Sequence, residues 1–535
     1  MKIMRFALAA VLWVGLLVAG LATERFVVPP GPGLTSTPPY TNWNRAATNI
    51  QDAVNVSSNN DVIWVTNGTY YCWSNSAYGG YTSMVTVVRA SNITIQSMNG
   101  PAVTIVNANY PYFANRCFYI MSNATLSGLT ITNGHAGDIC NGGGVYVNTS
   151  GRITNCWITG NSTTNTAWLA DNATGGGGIH FHGGGELYNC LIYGNVTPAT
   201  TLGACAVLDT PAGTYVIRDC VFSNNNAGGA SLFNTTTESI SNCTFINNNG
   251  VGLYLNIGVW TVDNCFMIAN SNTGFSAGSS GSGFVRNCQI SYNSGIGAGV
   301  SAGVMSNCVI SGNSNLMYPY VGGLALGANT ALVVNCTIVS NYSSRTDAGC
   351  GGVSISAGTL RNCLVANNVG PFAGGVYFRT IATTDTARVE NCTIVANNSG
   401  SLLSYYGGIY CDAATGTGVV VNTICYSNFF GVTHNNWQDA YAGHLVFYNS
   451  CTFPTNPASM SFNNTTNPPA LVNFAARNYR LSRSSPCINT GSNLNWTLMT
   501  GAVDLDGLSR RDRFSGIVDM GCYEFLPNGT MFVGR

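Results

Sequence analysis

The chain has 535 residues, of which only 7% are charged; its formal net charge is zero and 64 of its residues are glycine. A chain with no basic stripe gives nucleic acid or an anionic membrane nothing to hold, so composition argues against both as partners. Lys2 is the sole lysine, which leaves Arg as the only strong cation beyond the first residues.

Lys2 and Arg5 precede an apolar run over residues 6–21, with small residues near Ala22. That is the form of a secretory signal, and export with cleavage near Ala22 is expected. The run is short for a membrane-spanning helix, and no later stretch resembles one. Residues 23–60 form an N-terminal segment. Its Pro- and Gly-rich part (29–39) should be extended, whereas over 44–56 Ala46, Ala47, Ile50, Ala53 and Val54 recur at helical spacing. A short helix there would cover the bare end of the coil that starts with Asp61 and the apolar run Val62, Ile63, Trp64 and Val65.

From 61 to 451 one phrase returns: aliphatic, spacer, Asn-Cys, spacer, aliphatic. It reads Ile153-Thr154-Asn155-Cys156-Trp157-Ile158 and recurs at Cys190, Cys243, Cys265, Cys288, Cys308, Cys336, Cys363 and Cys392, with Asp219 in the Asn place before Cys220. Irregular spacing around a fixed phrase fits a coil of short strands joined by loops of varying length, not a helical repeat of constant period. Earlier, Gly128-Leu129 stands in for Asn-Cys. Gly and Asn both tolerate the left-handed backbone region, so the residue before each Cys is read as a tight turn. Stacked Asn side chains there can bond from rung to rung.

A second phrase, Gly-Gly then apolar-any-apolar, supplies another strand, as in Val145-Tyr146-Val147, Ile179-His180-Phe181, Val376-Tyr377-Phe378 and Ile409-Tyr410-Cys411. Period two turns the middle residue outward. Stacked in register, cysteines sit about 4.8 Å apart with parallel Cβ vectors, while a disulfide wants Cβ atoms about 3.8 Å apart and angled together. The repeat cysteines are therefore read as a buried column of thiols. Cys487 and Cys522 lie outside the repeats, and the sequence leaves their pairing open. Pro454, Pro468 and Pro469 interrupt pairing, and residues 452–535 are read as a C-terminal closing segment.

The opening Asn49-Ile50-Gln51-Asp52-Ala53, Asp61-Val62-Ile63-Trp64-Val65 and Gly68-Thr69-Tyr70, together with these repeats, resembles the right-handed parallel β-helix group, the pectin-lyase-like superfamily. Ser485-Pro486-Cys487-Ile488, Asp506-Gly507 and Asp519-Met520-Gly521-Cys522-Tyr523-Glu524 resemble the choice-of-anchor Q segment of secreted bacterial β-helix proteins, with departures at Asn489 and Cys522. The resemblance implies an all-β fold: one right-handed parallel β-helix solenoid with a short N-terminal capping helix and an irregular C-terminal cap. For activity it implies little, because the group includes lyases, hydrolases, esterases and adhesins.

Lyases of this fold hold Ca²⁺ on clustered carboxylates and its hydrolases use two or three Asp, so catalysis calls for convergent acids. The outward positions of the Gly-Gly strands are Tyr146 and Asn148, His180 and His182, Tyr254 and Asn256, Ser354 and Ser356, Tyr377 and Arg379, Tyr410 and Asp412. One acid stands among them. The expected function is therefore a non-catalytic, exported, adhesin-like or envelope-associated β-helix. Its polar face, dotted with Tyr146, Tyr254, Tyr377 and Tyr410, would bind extracellular polysaccharide or a cell-surface component. The alternative is a polysaccharide lyase or glycoside hydrolase with acids from loops, among Asp171, Glu186, Asp209, Asp347, Asp385 and Asp412.

Weaker catalytic or metal candidates are His180 and His182 with Glu186 and Asp171 nearby; the plainer reading is two solvated histidines. Arg379 and Asp412 are read as a surface ion pair or part of a sugar site. No cofactor is expected, with Ca²⁺ at Asp504 and Asp506 the one candidate; such residues more often make turns. Asp263 with Arg286 and Arg361 with Glu390 are read as structural pairs on adjacent rungs.

Overall fold

The computed structural model describes residues 22–32, 34–72, 76–78, 81–87, 90–137, 141–164, 175–198, 204–209, 213–233, 236–316, 321–344, 349–379, 381–382, 385–399, 406–454 and 462–525. Residues 1–21, Asp171 and Asp347, and the side chain of Asp209, lie outside this description.

Each rung carries three short strands. Val145–Val147, Gly151–Thr154 and Trp157–Thr159 make one rung; Gly175–Phe181, Gly185–Tyr188 and Leu191–Tyr193 make the next. The rungs pair in parallel, with Tyr146 opposite His180, Arg152 opposite Glu186 and Trp157 opposite Leu191. Strands of the first two kinds belong to a 29-stranded sheet, and the third kind builds a 15-stranded sheet from Gly68–Tyr71 to Cys451–Thr452. This is the expected parallel β-helix. Alternation sends Val145, Val147, Ile153 and Ile158 into one continuous core. No single rung buries enough apolar surface to stand alone, so stability belongs to the stack.

The turn before each cysteine is left-handed as expected, with φ of 54° at Asn155, 47° at Asn189, 56° at Asp219 and 68° at Gly128. Its side chains form an exposed ladder: Asn189 Nδ2 donates to Asn155 Oδ1 (2.7 Å) and Asn264 Nδ2 to Asn242 Oδ1 (2.8 Å). The cysteines that follow are free and buried. They stack closely enough that the Cys336 N–H donates to Cys363 Sγ (3.3 Å). Cys487 and Cys522 are also free and buried, packed with Cys451.

A second asparagine ladder, inside the coil, has no counterpart in the expectations above. Asn161, Asn195, Asn225, Asn248, Asn270, Asn293, Asn313, Asn341, Asn368, Asn397 and Asn428 are all buried. Each passes the same bonds onward. The Asn293 N–H and Nδ2 both donate to Asn313 Oδ1 (3.0 and 2.9 Å), and Nδ2 also donates to the Met267 carbonyl (2.9 Å). The Gly-Gly phrase makes room for this column: a Cβ on Gly352 would sit 2.3 Å from the Gly375 carbonyl oxygen and 3.2 Å from Asn368 Nδ2.

At the N-terminal end the expected helix over 44–56 is shorter. Trp43–Arg45 is a single 3-10 turn and the α-helix spans Ile50–Asn55, because the Asn49 side chain caps it by accepting the Asp52 N–H. Ala47 instead pairs with the strand Glu24–Val27, which adds an edge strand beside Val62–Val65 before the coil proper. A buried Arg25–Asp61 ion pair (2.6 Å) fixes that strand.

The C-terminal segment does more than follow the last rung. It lies along the flank of the coil, where Tyr479, Leu481, Cys487, Met520 and Cys522 cover Leu364, Val395 and Ile424. The exposed ladder continues into this contact, with Asn362 Nδ2 donating to the Val503 carbonyl and Asn422 Nδ2 to the Ser492 carbonyl. Within the segment, buried Arg510 reaches Glu524 (3.0 Å) and the carbonyls of Gly521 and Asp519.

Candidate functional site

The outward positions of the first strand in each rung form a column that runs Tyr119, Tyr146, His180, Val207, Ser231, Tyr254, Ser276, Gly299, Ala325, Ser354, Tyr377 and Tyr410. Aromatic groups gather at its two ends, and between them Tyr254 stands among Val207 and small side chains.

At the N-terminal end Tyr119 and Tyr146 stack at 5.3 Å between ring centroids, and Tyr146 and His180 at 5.1 Å. His182 lies 6.4 Å from Tyr146 and 6.3 Å from His180. The Arg116 guanidinium sits 5.3 Å from the Tyr146 ring centroid and its Nε donates to the Asn141 carbonyl. The picture of two solvated histidines needs correcting. His180 is 1% exposed, wedged in the aromatic stack, and only Tyr146 and His182 are partly open. Glu186, expected beside the histidines, turns to Arg152 at 2.6 Å. Among the described residues no group of three or more His, Cys, Asp or Glu is placed to hold a metal ion.

The turn after His182 opens into a groove of about 440 Å³. Arg152 and Glu186 line it with Asn92, Asn123, Thr125, Ser150 and the backbone of Gly183, Gly184 and Gly185. It is rich in amide, hydroxyl and main-chain groups. Such a surface suits a neutral polyhydroxylated ligand.

At the other end Tyr377 and Tyr410 do not present open rings. They are 2% and 8% exposed, packed under Phe372 and Tyr406 and against Ile296, Val321, Cys350 and Ala373. The Tyr377 hydroxyl donates to the Asp412 carboxylate, and burial with that negative charge raises the phenol above its ordinary range. Arg379 adds a positive charge that acts the other way. Tyr254 is half-buried against Val207 and Phe233. Of the four tyrosines expected on an open face, Tyr146 and Tyr254 are partly exposed, and neither lines the groove.

The carboxylates of the described residues are mostly committed. Asp263 meets Arg286 at 3.4 Å, and Glu390 meets Arg361 (2.9 Å) and Arg388 (2.8 Å). Asp385 accepts from Asn329, and Asp439 from the amides of Gly443, His444 and Leu445. Asp504 accepts from the amides of Asp506, Leu508 and Glu524, while Asp506 takes a two-point contact from Arg480. Both thus hold the C-terminal segment together. Glu238 differs: it points into the core, 1% exposed, and neither carboxyl oxygen meets a donor.

Arg116, Tyr119, Phe372 and Tyr406 were not among the sequence candidates. The strand Arg116–Ile120 carries the apolar-any-apolar pattern in Phe118-Tyr119-Ile120 but no preceding Gly-Gly, and that pattern was the available signal.

A search of curated proteins finds no match to the chain. Among solved structures, the chain is similar to pectate lyase Pel9A at 12% identity, covering 94% of this chain and 97% of that one, with a TM-score of 0.26. It is similar to the A-module of mannuronan C-5 epimerase AlgE4 of Azotobacter vinelandii at 16% identity, covering 72% and 90%, with a TM-score of 0.33. A rhamnogalacturonan lyase matches at 13% identity over 80% and 87%, with a TM-score of 0.24. Superpositions this loose transfer no residue's role. The family described as the right handed beta helix region matches residues 79–258 and 255–424, most of the coil built above, and the chain belongs to that family.

Proposed function

We propose that the protein is an exported, non-catalytic β-helix that binds extracellular polysaccharide or another cell-surface polymer along the face holding Tyr146, His182 and the Arg152–Glu186 groove. The observation that carries this reading is the commitment of carboxylates. Among the described residues, the acids placed in the preceding section are held by cations, amides or hydroxyls, or buried like Glu238, while the open groove offers amides, hydroxyls and one ion pair. Acid–base cleavage wants two convergent, available acids; reversible binding of a hydroxylated chain wants neutral polar groups and an aromatic edge. Export rests on the signal-like residues 1–22.

The test is a glycan array probed with the wild type and with Tyr146→Ala/Arg152→Ala. Binding that falls at least tenfold in the variant supports the reading, and binding that persists unchanged sinks it. Tyr377→Ala/Tyr410→Ala would probe packing instead, since both rings are buried.

One observation favours a second reading, a polysaccharide lyase. Arg116, Tyr146, His180 and His182 bring a cation and proton-accepting rings to one place, and β-elimination from a uronic acid needs a cation at the carboxylate and a base at the neighbouring carbon. New ultraviolet absorbance from an unsaturated uronate, lost in His182→Ala, would establish it.

A further inference from the structure

The third strand of each rung presents a separate side of the coil, and its outward residues are strongly biased. From the rung of Trp157 to that of Val339 they include Trp157, Leu191, Val221, Phe266, Ile268 and Val309, interspersed with Thr, Ser and Gln. No outward position of this stretch carries a charge. Trp157, Phe266 and Val309 are 38%, 40% and 42% exposed.

The same column continues into Leu364, Val395 and Ile424, which are equally apolar and fully covered by the chain's own C-terminal segment. One largely apolar face thus runs from Trp157 to Ile424, and the C-terminal segment covers it from Val339 onward. The uncovered part spans the seven strands from Trp157 to Val309, about 34 Å at ~4.8 Å per strand, and is roughly 10 Å wide at three residues per strand.

We propose that the uncovered stripe is a contact between two copies of this chain, packed stripe to stripe about a twofold axis. A twofold contact sets a patch against itself, so it tolerates no cluster of like charge; an uncharged flat row of Trp, Leu, Val and Phe meets that condition. Its continuity with the covered half shows that apolar packing is what this side of the sheet accommodates. The footprint is of the order of 350 Å² per copy, under half of what a standard stable interface buries per partner. The dimer therefore forms reversibly, in the micromolar range. Because no ion pairs hold it, it is insensitive to salt. The groove and aromatic stack lie on another side of the coil, so each dimer keeps two copies of that face open.

Sedimentation velocity of the full chain over a concentration series tests the proposal. The expected result is a monomer–dimer equilibrium that is unchanged between low and high salt. Phe266→Arg/Val309→Arg, and separately Trp157→Arg, should shift it at least tenfold toward monomer while circular dichroism and the melting temperature stay at wild-type values. A wild type that remains monomeric at all concentrations overturns the proposal, and so does a dimer that persists in both variants. A dimer abolished only by raised salt also overturns it, because that would place the contact on a charged surface.

Discussion

Glu238 is the most exacting test of the fold. Its strand pairs place it between Tyr215 and Trp260, and it points into the coil where neither carboxyl oxygen nor the Trp260 Nε1 finds a partner. Burial pushes its pKa from 4.5 to about 8. In the unfolded chain the group loses its proton near 4.5, whereas in the folded chain it keeps it until about 8. Between those values the folded state binds the extra proton, so its contribution to stability is fully present below pH 4.5 and declines as pH rises to about 8. At about 1.36 kcal/mol per pH unit the loss totals roughly 5 kcal/mol. Glu238→Gln keeps the shape and cannot titrate. Urea midpoints of both proteins at pH 5, 6.5 and 8 should show the difference in stability moving steadily in favour of the variant as pH rises. Taking the difference removes other buried groups, such as Glu524 with its pKa raised by burial to about 9. Parallel pH profiles for the two proteins would refute the reasoning, since they would mean that Glu238 is already ionised or solvated in the fold.

Asn293→Ala should cost about 2–6 kcal/mol by urea denaturation, because it strands the buried Asn270 N–H and the Met267 carbonyl, at roughly 1–3 kcal/mol each, and leaves Asn270 Nδ2 only its bond to the Phe245 carbonyl. A loss under about 1 kcal/mol would mean that the inner ladder relaxes around the gap. The 18 buried free thiols of the described residues should be silent to an aromatic disulfide reagent in the native protein and react in denaturant; fast native reaction at these positions would contradict the stacked column. Arg510→Met removes the buried cation that contacts Glu524 and acts on Asp504 and Asp519, together with its bonds to the Gly521 and Asp519 carbonyls, at a cost of about 3–5 kcal/mol. Limited proteolysis should then cut within residues 466–525 while the coil stays intact, and a cleavage pattern identical to wild type would count against the flank contact.

The coil was legible because its signals are local. The residue before each cysteine must turn left-handed, which admits Asn155, Asp219 or Gly128 and little else. The inner ladder has an equally local signal: Asn161 stands five residues after Cys156 and Asn195 five after Cys190, and the spacing holds through Asn397 after Cys392. The first asparagine faces water and the second the core, a distinction that needs the register of the whole rung. The outer face failed differently. Tyr377 and Tyr410 do point out of the coil, but Phe372 and Tyr406 come from loops that fold over them, and loop cover is not encoded in strand alternation. Likewise, Asp504 and Asp506 gave the spacing of a cation loop, and only the fold shows Arg480 and main-chain amides already occupying them.

Sameness from one rung to the next has an evolutionary consequence. Excising residues 244–265 would join Cys243 to Phe266 and leave Asn270 five places after a cysteine, ready to take up the bonds Asn248 made with Asn225. Whole turns can therefore be gained or lost without rewriting the rest. The separation between the His180 stack and the Tyr377 cluster, now eight steps or about 38 Å, is a ruler that duplication or loss of a segment can lengthen or shorten in increments of ~4.8 Å.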